Sequence, residues 1–116
     1  MLLNNPTEYL DNKSVQNLIK ILKRKKRENK IIIIVSYDSE FILKVSDRIL
    51  AIEQGKIIND SDKYLFFKND RLLSLVNLEK PKVIEFEQLV EKLKGIRLGY
   101  RDNINDLIKD IYRNAK

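Results

Sequence analysis

The run Ile31-Ile32-Ile33-Ile34-Val35 sets five β-branched apolar residues side by side. Such side chains are stiff and suit a pleated surface better than a helix. With no polar residue alternating, the run predicts a strand buried on both faces, as in a parallel sheet. Residues Met1–Leu3 read as the end of another strand. Between the two, Asp11 or Ser14 can cap a helix reaching about Arg27. Val15, Leu18, Ile19 and Leu22 fall there at the three-and-four spacing of one buried face. Beyond the run, Asp38 and Ser39 open a short helix with Phe41, Ile42 and Val45 inward. Arg48–Glu53 reads as a strand, Gln54-Gly55 as a turn and Lys56–Ile58 as a short return strand, together a hairpin.

The pattern becomes helical after Asn59-Asp60-Ser61-Asp62. Tyr64–Phe67 and Leu72–Val76 are short helical pieces, and Pro81 suits a first helical turn. Ile84, Leu89, Val90 and Leu93 mark the expected buried face of the helix that follows. Gly95–Gly99 is a break, and Asn103 caps a last helix with a stripe at Ile104, Leu107, Ile108 and Ile111. The chain divides near Asp60 into an α/β part, residues 1–60, and a helical C-terminal extension, residues 61–116.

Composition excludes several chemistries. The chain of 116 residues is one small domain or part of one. It has no cysteine, hence no disulfide or thiolate metal site, and no histidine, the usual general base near neutral pH. No apolar run approaches the roughly 18 to 20 residues that span a bilayer. No secretory leader is recognisable. A cytoplasmic protein with a peripheral place at the inner face of the cell membrane is expected. The basic run Lys23–Arg27 is best read as a solvated helix end, where cations suit the dipole, and no nucleic acid is expected. Glu85, Glu87 and Glu91 are likewise read as a solvated helix face and not a metal site. Tyr64, Tyr100 and Tyr112 are read as core or boundary aromatics.

The segment Leu2-Leu3-Asn4-Asn5-Pro6-Thr7-Glu8-Tyr9-Leu10-Asp11 resembles a Walker B strand running into a D-loop. ATPases of the ABC family write it Leu-Leu-Asp-Glu-Pro-Thr-x-x-Leu-Asp. Ile31–Val35 with Ser36-Tyr37-Asp38 resembles the H-loop strand, Tyr37 standing at the switch-histidine position. Ser46-Asp47-Arg48-Ile49-Leu50-Ala51-Ile52-Glu53-Gln54-Gly55-Lys56-Ile57-Ile58 matches the family's following string. Leu65-Phe66-Phe67, Leu72-Leu73 and Leu78–Val83 resemble the helical extension of energy-coupling factor transporter ATPases, which drive vitamin or metal-ion uptake.

The resemblance implies an α/β fold, a partial P-loop NTPase sheet with flanking helices and a helical C-terminal extension. In the family, the Walker B aspartate helps hold magnesium and the next glutamate acts on the attacking water. Asn4 offers magnesium only a neutral oxygen, and Asn5 cannot take a proton. Tyr37 is bulkier than histidine, and a phenol is not an ordinary base at neutral pH. Asp11 is the intact position, facing nucleotide across a dimer interface in the family, although a helix N-cap explains it equally. No Gly-x-x-x-x-Gly-Lys-Ser/Thr and no Leu-Ser-Gly-Gly-Gln occurs.

The expectation is a truncated, catalytically degenerate ABC ATP-binding subunit of energy-coupling factor type, with no cofactor of its own where the intact family uses ATP and magnesium. Its expected partner is a second ABC ATPase subunit, with any association to a membrane transport subunit indirect and the helical tail mediating contact. The alternative is a non-catalytic interaction or regulatory module pairing with another ATPase, or the downstream product of a split or decayed gene. A small mixed sheet around Ile31–Val35 and Arg48–Glu53, with an exposed apolar edge, is expected.

Overall fold

A computed structural model describes residues 1–94. The expected break at Gly95–Gly99, the helix capped by Asn103, and Tyr100 and Tyr112 lie outside the described residues.

The chain forms two compact units, the first ending at Ser46 and the second beginning at Asp47. The hairpin groups with the helices that follow it.

In the first unit, β1 (Leu2–Asn4) pairs in parallel with β2 (Ile33–Val35), Leu2 opposite Ile33, Leu3 opposite Ile34 and Asn4 opposite Val35. The helix α1 (Asn12–Arg27) connects them. Asp11 caps it, its carboxylate accepting from the Ser14 amide at 2.8 Å. The helix α2 (Ser39–Val45) follows β2, capped in the same way by Asp38. Ile19, Leu22 and Phe41 form the core, with Leu3, Val15, Leu18, Ile32, Ile34 and Val45 packed against it. Each fully buried side chain of this kind contributes about 1.5–3 kcal/mol.

The isoleucine run departs from expectation. Only Ile33–Val35 is strand, and its residues alternate: Ile34 faces the core while Ile33 is 59% and Val35 47% exposed. Its partner Leu2 is 69% exposed. A strand is buried on both faces only when each face has a covering layer. Here the core lies on one side, and nothing among the described residues of this unit covers Leu2, Ile33 and Val35.

In the second unit, β3 (Arg48–Glu53) and β4 (Lys56–Asp62) form an antiparallel hairpin. Gln54 and Gly55 turn it with φ of 49° and 75°, the two positive values of a type I′ turn. A bulge follows: Ala51 pairs with Asn59 but Ile52 with Ile57, leaving Ile58 as the extra residue. The single mixed sheet expected does not form. Among the described residues, two separate two-stranded sheets stand instead, β1 with β2 and β3 with β4.

Three helices complete the described residues: α3 (Lys63–Lys68), α4 (Asp70–Val76) and α5 (Lys82–Lys94). Asp62 and Asn69 cap the first two, and Asn77 ends α4 in the left-handed conformation, φ 59°. Phe66 and Phe67, fully buried, meet edge to face at 5.2 Å. On α5 the buried residues are Val83, Ile84 and Glu87, while Leu89 is 51% and Leu93 73% exposed. The predicted stripe Ile84, Leu89, Val90, Leu93 is thus rotated, and Glu87 is not on a solvated face. Its Oε1 accepts from Lys68 Nζ at 3.3 Å. That ion pair offsets part of the cost of burying the carboxylate, and periodicity of apolar residues cannot register it.

Candidate functional site

Parallel pairing in register brings the ends of β1 and β2 to the same level. The Asn5 amide extends the ladder by donating to the Val35 carbonyl at 2.7 Å. Asn5 then leaves the strand with φ 47°, a left-handed conformation that asparagine tolerates better than most residues. Turns follow, Glu8 N to Asn5 O at 3.1 Å and Leu10 N to Thr7 O at 3.2 Å. On the other strand, Ser36 Oγ accepts from the Asp38 amide at 3.0 Å.

Asp38 holds the two loops together. One carboxylate oxygen caps α2 by accepting from Phe41 N at 3.1 Å, and the other accepts from Thr7 Oγ1 at 3.2 Å. Asn5, Thr7, Glu8, Ser36, Tyr37 and Asp38 line an open depression of about 320 Å³. In open α/β sheets, ligands bind beyond the carboxyl ends of parallel strands, which is where this depression lies.

Of the residues singled out from sequence, Asn5 and Tyr37 meet here. Tyr37 is 73% exposed. Asn4, the last residue of β1, is exposed and not among the lining residues. Asp11 is the N-cap of α1, and the Ser14 backbone and side-chain hydrogen bonds hold its carboxyl below the ordinary aspartate range. Thr7, Glu8 and Ser36 were not singled out. Their presence in one site follows from the strand register, which no local pattern encodes. Asp38 was read as a helix opener and as part of the H-loop resemblance.

The lining chemistry is amide, hydroxyl, phenol and two carboxylates, from Glu8 and Asp38. It includes no cationic side chain, so a nucleotide triphosphate meets no compensating charge from these residues. Nor does any group of three or more carboxylates among the described residues offer a metal site. No helix among the described residues is long and apolar enough to cross a membrane.

No protein-family model matches the chain. Individual relatives do. The energy-coupling factor transporter ATP-binding protein of Mesoplasma florum is 33% identical over 95 residues, 81% of this chain and 29% of its own length. That of Mycoplasmopsis pulmonis is 31% identical over 107 residues, 92% of this chain and 35% of its own length. A Mycoplasma genitalium protein assigned as an ABC transporter ATP-binding protein is 32% identical over 114 residues, 96% of this chain and 31% of its own. The chain spans about a third of the length of these relatives. The spaced resemblances of strand, loop and hairpin and these alignments agree: over that third, the chain is homologous to ABC transporter ATP-binding proteins, among them energy-coupling factor ATPase subunits.

Proposed function

We propose that this chain is a non-hydrolysing part of an ABC-type ATP-binding subunit, associated with an energy-coupling factor transporter for vitamin or metal-ion uptake. It would act by pairing with a second ATPase chain, at the inner face of the membrane. The pair β1–β2 with α1 and α2 would be a portion of a P-loop NTPase sheet. The observation that carries the reading is the meeting of Asn5 and Tyr37 at the ends of two parallel strands in register, with Asn4 beside them. On this reading the catalytic places of the family are filled by groups that neither serve as a general base nor give magnesium an anionic oxygen. Loss of a general base alone costs about 10²–10⁴-fold in rate.

The test is to co-express the chain with a second energy-coupling factor ATPase of the same organism, whose own catalytic glutamate has been changed to glutamine. Co-purification without magnesium-dependent turnover is expected. Turnover above a blank would be this chain's own and would end the reading. Failure to co-purify would remove the pairing role.

A further inference from the structure

The charge of this protein is concentrated on one helix. Between Asn12 and Arg27, α1 carries Lys13, Lys20, Lys23, Arg24, Lys25, Lys26 and Arg27 and no carboxylate. Seven positive charges on sixteen residues exceed the net +6 of the whole chain. The rest, with sixteen basic and seventeen acidic residues, is close to neutral.

The arrangement is directional. At 100° per residue, Lys13, Lys20, Arg24 and Arg27 fall within one narrow arc, opposite Val15, Leu18, Ile19 and Leu22. The latter four pack in the core of the first unit, which fixes the rotation of the helix. All four stripe residues are exposed. They form a straight row about 21 Å long at 1.5 Å per residue. Lys23 flanks the row on one side and Ile21, 41% exposed, on the other. A row of like charges repels itself, and a sequence selected only for solubility gains by interspersing both signs.

We propose that the outer face of α1 is an electrostatic docking surface for a membrane bearing anionic lipid. A straight basic row on a helix whose apolar side is already occupied can lie on a plane without inserting. Clustered lysine and arginine beside a membrane are attracted to anionic headgroups, each basic residue strengthening binding about fivefold. Exposed Ile21 adds an apolar contact that a headgroup layer accommodates and a phosphate backbone does not. The helix has no aromatic side chain on which a nucleic-acid base could stack. The choice of a lipid surface over other polyanions rests on the transport reading; the charge row itself does not.

The test is flotation with vesicles, in the absence of nucleotide, comparing pure phosphatidylcholine with equal parts phosphatidylcholine and phosphatidylglycerol. Three chains are compared: the natural one, Lys13→Gln/Lys20→Gln/Arg24→Gln/Arg27→Gln, and a control of equal net charge, Lys56→Gln/Arg71→Gln/Lys82→Gln/Lys92→Gln. Circular dichroism checks that each is folded. The natural chain and the control should float with anionic vesicles only, and the α1 variant should bind at least tenfold more weakly. Binding should fade from 0.1 M to 1 M salt as the screening length drops from about 10 Å to about 3 Å. Absence of vesicle binding, or equal loss in both variants, would overturn the proposal. So would duplex DNA that binds through the same row more tightly than vesicles at equal salt, which would make the partner a nucleic acid. Because nucleotide is absent, a failure here leaves the non-hydrolysing reading standing.

Discussion

Thr7 and Asp38, separated by 31 residues, are joined by a hydrogen bond of 3.2 Å across the ends of two parallel strands. The bond ties the loop after β1 to the N-cap of α2, so one carboxylate serves both a helix and a tertiary contact. Thr7→Val should lose about 1 kcal/mol, the usual net worth of such a bond. Asp38→Ala should lose about 1–2 kcal/mol, because the cap goes as well. A double-mutant cycle by urea denaturation should return a coupling within the single bond's value; strict additivity would show that the contact does not form in solution.

The second expectation concerns nucleotide. Calorimetry and phosphate release should detect neither micromolar ATP affinity nor magnesium-dependent turnover by the 116-residue chain. Asn4→Asp/Asn5→Glu/Tyr37→His should not restore activity, since this chain has no glycine-rich phosphate loop. Measurable turnover by that triple variant would mean that phosphate is held some other way.

Buried charge gives a third expectation. Glu87 is fully buried and Lys68 is its partner at 3.3 Å. Lys68→Met removes this ion pair from a fully buried carboxylate, which should cost up to about 3–5 kcal/mol. Lys68→Met/Glu87→Leu should recover much of that loss, because a paired buried charge contributes little net stability over an apolar replacement. Thermal melts of the two variants separate these outcomes, and a double variant as unstable as the single one would contradict the pairing.

A fourth concerns acid. Arg48 donates from Nε to Asp60 Oδ1 at 2.6 Å and from Nη2 to Asp60 Oδ2. These hydrogen bonds, with the guanidinium charge, hold the Asp60 carboxyl below the ordinary aspartate range. A depressed folded value means stability that is complete above the unfolded value near 3.9 and disappears as pH falls through the folded one. The pair is exposed, so the effect on unfolding is small and salt-sensitive. Carboxyl NMR titration is the direct check: Arg48→Gln should raise the Asp60 midpoint, and an unmoved midpoint would refute the pairing.

Local chemistry made much of this fold legible. Asp11 and Arg27 bracket α1, β3 spans Arg48–Glu53 as read, and Gln54-Gly55 forms the turn, since caps, basic helix ends and turn residues act over a few positions. Burial was less legible because it depends on what covers a face. Ile33 and Val35 belong to a strongly apolar run yet are exposed, and Leu89 and Leu93 keep helical spacing yet face out while Glu87 is enclosed. The candidate site was half legible. Asn5 and Tyr37 stand out by motif, but Thr7 meets Asp38 only through a strand register that no short window contains.

The connection between β1 and β2 has a consequence for the order of assembly. The hairpin of β3 and β4 closes over two turn residues, an event of about 1–10 μs. Pairing Leu2 with Ile33 requires the whole of α1 and its flanking loops to be gathered first, with loop-closure entropy lost before any ladder bond forms. The depression at the strand ends is therefore among the last features to assemble, and a substitution that loosens α1 from its core will slow the appearance of Thr7–Asp38 while leaving the hairpin's formation rate unchanged.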